Sequence, residues 1–287
     1  MYQIILNPVS GKRKACKNLR VIEDALKERD LSYAVHFSKG IRDAERIARE
    51  LTSAGETELI VLGGDGTLHE VLNGLVDPKL CRLGIVPSGT GNDFVETLGI
   101  PKNPKRAIEL IINGEAKDTD YLEISDRRCL NVSGIGMDVD VLERCNRGKM
   151  RGKLKYLFSL LQSIFAFKGY PVEIEYEGKT EKREVLIAAT CNGTQFGGGI
   201  RICPDANIKD GKINVVLVDC IGGKWKLIQA LLTLLKGKIL SYPATTHFLC
   251  DRVAFRPETP CTVQLDGELY TDIVFDAKIC QGLKIYQ

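Results

Sequence analysis

The sequence predicts two joined folds, an α/β domain built on a helix-covered parallel sheet and then a β-rich domain. Two observations carry this. As far as Asp118, short apolar runs alternate with stretches whose apolar residues recur at helical spacing. Beyond it, β-branched strand-like runs dominate. The length of 287 residues also exceeds that of a typical single domain.

In chain order, YQIIL is a strand ending at Asn7-Pro8. Ala15, Leu19, Ile22 and Leu26 mark a helix, YAVHF a strand, and Ile41, Ala44, Ile47, Ala48 and Leu51 a second helix. LIVL before Gly63 is a continuous apolar run, the pattern of a strand buried on both faces. Leu68, Val71, Leu72 and Leu75 form a third helical stripe, and LGIV is a strand ending at Pro87. Pro104 opens another helix, which Gly114 is placed to stop.

The pattern changes near residues 118–122. YLEIS, RCLNVSG, VEIEY, EVLIAAT, INVVLVD, RVAF, CTVQLD and DIVFD read as strands of a mostly antiparallel sheet, interrupted by helices at 153–167 and Lys224–Leu235. The expected domains are 1–120 and 121–278, with 279–287 returning to the first as a strand. Arg144, Arg147, Lys149, Arg151, Lys153 and Lys155 precede an apolar helical run at 156–167. That segment reads either as a solvated helix end with core packing behind it or as an interfacial patch for an anionic membrane.

The net charge of +3 is too small for a dedicated nucleic-acid binder. None of the ten cysteines forms a CxxC pair, so a zinc site of ordinary spacing is not expected, and reduced core thiols in a cytoplasmic protein are. MYQIILNPVSGK lacks the charge and apolar pattern of a secretion signal, and LIQALLTLLKGKIL is broken by Lys236, Gly237 and Lys238 before it reaches a spanning length. His36, His69 and His247 are isolated from one another and read as packed or exposed residues.

Chemistry is signalled at three strand ends, by NPVSGKRK, GGDGT at 63–67 and PSGTGND at 87–93. In an open parallel sheet, ligands bind beyond the carboxyl ends of the strands. Glycines let a backbone approach phosphate and present its N–H groups, and a following helix N-terminus favours anions. Lys12, Arg13 and Lys14 add positive charge, whereas Asp65 and Asp93 would repel bare phosphate. Phosphate and carboxylate at one site are reconciled if Mg²⁺ bridges them. The patterns GxGxxG and GxxxxGK[ST] are both absent.

GGDGTLHEVLNGL with LGIVPSGTGNDF resembles the diacylglycerol kinase catalytic domain in its bacterial lipid-kinase form. NPVSG at 7–11, Asp120, LNVSGIGMD, CNGTQFGGGIRICPDANIKDGKINVVLV, LLKGKIL and QLDGE extend the resemblance along nearly the whole chain. GGDGT alone is shared with NAD kinases; GTGND and the later DGE make the match specific.

The resemblance implies a three-layer α/β domain, a C-terminal β sandwich, and ATP with Mg²⁺ in the cleft between. It implies nucleotide contacts from Asn7, Ser10, Gly11, Ser38, Gly63, Gly64, Gly66, Thr67, Gly89, Thr90 and Asn92, with Asp65, Asp93 and Asp120 around the metal. Asp65 and Glu268 become the catalytic residues, Glu268 as general base. Asp210, with backbone carbonyls near Asn207 and Lys212, would hold a structural cation. On the residues alone, Asp266-Gly267 and Asp210-Gly211 read equally as hairpin turns. Glu70 and Asn73 read as supports of the GGDGT loop.

The expected activity is transfer of the ATP γ-phosphate to a lipid hydroxyl at the cytoplasmic membrane surface. Diacylglycerol is the first acceptor, with sphingoid bases, phosphatidylglycerol or another lipid alcohol open; no nucleic acid is involved, and a homodimer is open. The alternatives are an NAD kinase or another small-molecule kinase of the superfamily, or a non-catalytic nucleotide- or lipid-binding regulator.

Overall fold

The computed structural model describes residues 1–147, 169–220, 222–259, 261–271 and 273–287. The chain divides into two compact units, Met1–Asp120 with Gln281–Gln287, and Tyr121–Cys280.

In the first unit, β1 (Tyr2–Leu6), α1 (Lys14–Lys27), β2 (Tyr33–Phe37), α2 (Asp43–Ser53), β3 (Glu58–Gly63), α3 (Asp65–Gly74), β4 (Arg82–Pro87), α4 (Asp93–Leu98) and α5 (Pro104–Asn113) follow in order. The strands are parallel, in the spatial order β4–β3–β1–β2. Ile4, Leu6, Ile60, Leu62 and Val86 pack with Ile22, Leu26, Ala107, Ile108 and Ile111, which places α1 and α5 on one face. The residues alternating with them, Ile5, Val61 and Ile85, are buried too, so both faces are covered and the unit has three layers. Lys284 and Ile285 add a last parallel segment beside β4.

Helix α2 begins after Arg42, whose φ of 61° is left-handed. Ile41 is therefore not a helix residue as its spacing suggested; it is 93% exposed. The first turn of α2 is capped from α3, where the Glu70 carboxylate accepts the Arg42 and Ala44 N–H groups at 3.0 and 3.1 Å. Gly74 lies so close to α2 that an added Cβ would sit 2.2 Å from the Glu45 carbonyl oxygen.

The second unit starts within β5 (Ala116–Ile124) and ends within β17 (Phe275–Tyr286). Between them lie β6 (Arg127–Cys129), β7 (Val132–Gly136), α6 (Met137–Arg147), β8 (Tyr170–Tyr176), β9 (Lys179–Cys191), β10 (Gln195–Phe196), β11 (Ile200–Arg201) and β12 (Ile213–Asp219). Then come α7 (Lys224–Leu235), β13 (Thr245–Cys250), β14 (Arg252–Pro257), β15 (Val263–Leu265) and β16 (Glu268–Tyr270). The pairing is antiparallel. The long β9 pairs with β8 over its first half and with β7 and β12 over its second. One face packs Ile135, Ala188, Val215, Leu217 and Phe255; the other packs Val132, Ile187, Ala189, Val216 and Val218 under Leu231 and Leu234 of α7.

RCLNVSG, expected as one strand, is two, broken at Leu130 and Asn131 because both N–H groups turn to the Asp266 carboxylate. The strand expected in DIVFD begins at Phe275. The expected helix at 153–167, with Lys149, Arg151, Lys153 and Lys155, lies outside the described residues, as do the side chains of Arg144 and Arg147.

Gly74→Ala is expected to cost about 1–3 kcal/mol by forcing α2 and α3 apart. Gly40→Ala, where a Cβ meets nothing within 4 Å, is expected to be neutral within about 0.5 kcal/mol. Urea midpoints of the two variants measure the contrast.

Candidate functional site

The turns after β1, β3 and β4 meet. Gly63 pairs with Pro87 at the ends of β3 and β4, and Ser88 N–H donates to the Gly63 carbonyl at 2.7 Å. This brings Gly64 against Gly89 so tightly that a Cβ on Gly89 would lie 2.5 Å from the Gly64 Cα. Both neighbours are backbone, so nothing can rotate away. The first turn joins them at Gly11, where φ is +56° and a Cβ would lie 1.9 Å from the Ser88 carbonyl oxygen.

Gly11, Lys12 and Arg13 are consecutive left-handed residues, with φ of 56°, 59° and 70°. Successive N–H groups in such a turn form a concavity suited to anions. Helices α1 and α3 both start without a side-chain cap. The N–H groups of their first turns are the ones a helix leaves without an intrahelical partner.

Polar side chains fix this backbone. Asn7 Nδ2 donates to Thr67 Oγ1 at 3.3 Å, and Asn7 Oδ1 accepts the Val9 N–H at 3.2 Å. The Gly63 Cα faces the Thr67 side chain, where a Cβ would meet it at 2.5 Å. Asn92, left-handed with φ of 54°, uses Oδ1 to accept the Gly89 N–H and Nδ2 to donate to the Gly89 carbonyl, both at 3.1 Å. Its own N–H donates to Asp65 Oδ2 at 2.6 Å, so one turn orients the carboxylate of the other. Ser38 is buried just after β2 and donates its N–H to the Leu6 carbonyl.

Asp65 and Asp93 both border Gly91, where a Cβ would meet Asp65 Oδ2 at 2.9 Å and Asp93 Oδ2 at 3.5 Å. Paired carboxylate oxygens are the hard donors that magnesium accepts alongside phosphate and water. Asp120 is buried on β5 with Gln281 Nε2 donating to Oδ1 at 3.3 Å. Among the described residues, no three carboxylate, thiol or imidazole groups converge as a metal-holding cluster.

Two residues of these turns were missed in the sequence. Gly91 leaves room for both carboxylates. Ser88, fully buried, ties the second turn to α1 by accepting from Asn18 Nδ2 at 2.8 Å. Both stand inside PSGTGND, and their signal was overshadowed by the flanking motif residues.

In the second unit, Glu268 opens β16 directly after the two-residue Asp266-Gly267 turn, whose φ values of 53° and 89° suit a tight hairpin. Glu268 is exposed. Asp266 is more than a turn residue. Its Oδ1 accepts the Asn131 N–H at 2.8 Å and faces the Cys129 thiol at 3.0 Å, and its Oδ2 accepts the Leu130 N–H at 3.0 Å. Burial, reinforced by that carboxylate, pushes the Cys129 thiol well above its ordinary pKa.

At the other expected cation site, Asp210 Oδ1 accepts the Lys212 N–H at 3.0 Å and Asn207 Oδ1 accepts the Lys209 N–H at 3.1 Å, the contacts of local turns. The Lys212 ammonium pairs with Asp251 at 2.6 Å. His69 is buried with Asn73, whose Nδ2 donates to the His69 carbonyl at 2.9 Å. His36 pairs with Gln3, and His247 with Asn214.

Asp266→Ala is expected to lower stability by about 2–4 kcal/mol, because two backbone donors lose a charged acceptor. Glu268→Ala, two residues away and exposed, is expected to stay within about 0.5 kcal/mol. Equal urea midpoints for the two variants would contradict the clamp.

Residues 1–124 match the family described as diacylglycerol kinase catalytic domain, and residues 131–283 the YegS C-terminal NAD kinase beta sandwich-like domain. A diacylglycerol kinase of Bacillus subtilis (strain 168) is 27% identical over 272 residues, covering 93% of this chain and 89% of that protein. A protein named "Probable lipid kinase YegS-like" from Xanthomonas oryzae pv. oryzae is 31% identical over 289 residues, with the same coverage of 93% and 89%. The crystal structure of a diacylglycerol kinase from Bacillus anthracis str. Sterne superposes with a TM-score of 0.80 at 27% identity, covering 99% of this chain and 96% of that one. With those matches spanning both units, the chain belongs to the diacylglycerol kinase catalytic domain family and is a lipid kinase.

Proposed function

We propose that this kinase moves the γ-phosphoryl group of ATP to the hydroxyl of diacylglycerol, giving phosphatidic acid, at a membrane surface. The observation that carries the reading is the meeting of Gly64 with Gly89 beside Asp65 and Asp93. It sets two glycine turns together at the carboxyl ends of β3 and β4, with two carboxylates beside them. The names of the relatives supply the acceptor class.

In this reading the 63–67 turn, with Gly11, Gly89 and Thr90, binds the nucleotide phosphates, and Asn7, Ser10, Ser38 and Asn92 hold those turns in shape. Asp65 and Asp93, joined through water by Asp120, would hold Mg²⁺, which neutralises charge on the β- and γ-phosphates when bound. Glu268 accepts the proton of the lipid hydroxyl as its oxygen forms the new O–P bond and ADP leaves with the electrons of the broken one. Asn207, Asp210 and Lys212 remain candidates for a structural cation.

Asp65→Asn is expected to reduce turnover by about 10²–10³-fold with an unchanged melting temperature. Glu268→Gln is expected to lower kcat by about 10²–10⁴-fold and leave ATP affinity intact. Loss of affinity equal to the loss of kcat would remove the base assignment. Chelator should stop turnover and added Mg²⁺ restore it; turnover indifferent to chelator contradicts the metal assignment.

A further inference from the structure

Helix α7 is apolar on two faces. Ala230, Leu231 and Leu234 are buried against the sheet, with Leu227 packed beside them. On the other face Trp225 is 80% exposed, Leu232 50% and Leu235 43%, at the seven- and three-residue spacing that aligns them along one side. A single exposed leucine needs no explanation, but an aligned stripe headed by tryptophan does.

The charge around the stripe is of one sign. From Cys220 to Cys250 the sequence has no aspartate or glutamate, while Lys224 and Lys226 lie in the first turn of the helix and Lys236 and Lys238 follow its end. Lys226, Lys236 and Lys238 are exposed. The helix is also rigidly ended. Gly237, at φ +67°, donates its N–H to the Leu234 carbonyl at 2.8 Å, and Lys238 donates to Thr233 at 2.9 Å. Tyr242 Oη donates to the Lys226 carbonyl at 3.0 Å.

We propose that α7 docks on an anionic lipid bilayer, with Trp225, Leu232 and Leu235 entering the interface and Lys226, Lys236 and Lys238 meeting the headgroup phosphates. The purpose of this docking rests on the lipid-acceptor reading above; its chemistry rests on the helix alone. A tryptophan and leucines bounded by lysines match the apolar and anionic layers of a bilayer surface. No helix among the described residues is long and apolar enough to cross a membrane, so α7 lies on the surface. Because the helix is folded and capped beforehand, docking does not carry the cost of folding it.

Trp225 is the chain's only tryptophan, so intrinsic fluorescence of the full chain reports this helix alone. With vesicles of phosphatidylcholine plus phosphatidylglycerol, the emission is expected to shift to the blue and become shielded from acrylamide. With phosphatidylcholine alone it should do neither. The triple variant K226E/K236E/K238E is expected to partition at least about a hundredfold more weakly. L232A/L235A, which keeps the reporter, is expected to partition about tenfold more weakly. Melting curves matching the parent confirm that the exposed substitutions leave the fold intact.

An unshifted emission in protein that pellets with anionic vesicles overturns the proposal, as does an equal response to neutral ones. A blue shift that grows with protein concentration without vesicles overturns it in favour of self-association. Turnover separates this proposal from the kinase reading. If docking holds, the triple variant matches the parent on a water-dispersed short-chain acceptor and falls behind it on vesicles; equal rates on vesicles overturn docking. If the acceptor reading fails, neither chain phosphorylates any lipid, while the fluorescence response stands.

Discussion

The contact between Gly64 and Gly89 is the constraint on which the geometry of the first unit's glycine turns depends. Two strands in parallel register deliver their last residues side by side, and the missing Cβ atoms let the turns beyond them touch. Asn92 then closes one turn on itself and passes its N–H to Asp65 in the other. Asp65 is oriented by backbone, which holds it more firmly than a mobile side chain could. Any side chain at Gly64, Gly89 or Gly91 would separate these turns or crowd the two carboxylates.

The second unit uses a related device with the opposite chemistry, a carboxylate drawing backbone donors to itself. Asp266 interrupts a strand, anchors a hairpin and so places Glu268 at the hairpin's first strand position. The sheet beneath is apolar except at fixed points such as Ser133 and Thr190, whose hydroxyls bond at 2.5 Å across neighbouring strands. Buried polar groups satisfied in pairs specify register as well as stability.

Much of this was legible in the sequence. Apolar runs located β3 and β4, helical stripes located α1, α2 and α3, Pro104 and Gly114 located α5, and the Gly and Asp spacing singled out the turns that meet. Glu70 read as a support of the GGDGT loop, and its carboxylate in fact caps α2. Local pattern failed where a distant side chain decided the outcome. Ile41 fits the helical stripe, but the helix starts two residues later, at Asp43, between the Arg42 and Ala44 N–H groups that Glu70 accepts. RCLNVSG has uniform strand character, yet Asp266, far along the chain, takes its central N–H groups. Helix α4 is too short for periodicity to register, and β13 carries a histidine and two threonines in place of a clear apolar run. The outer stripe of α7 lies in a helix the sequence predicts, but which of its leucines face outward is decided by the sheet beneath it.

A lipid kinase leaves the phosphoryl group on a lipid hydroxyl. That outcome is tested most directly by incubating the full chain with ATP labelled at the γ-phosphate and Mg²⁺, in mixed micelles offering diacylglycerol and other lipid alcohols beside water-soluble NAD. Label is expected in the lipid fraction, in phosphatidic acid. Label recovered in NAD, or nucleotide bound with no labelled product in any acceptor, would contradict it.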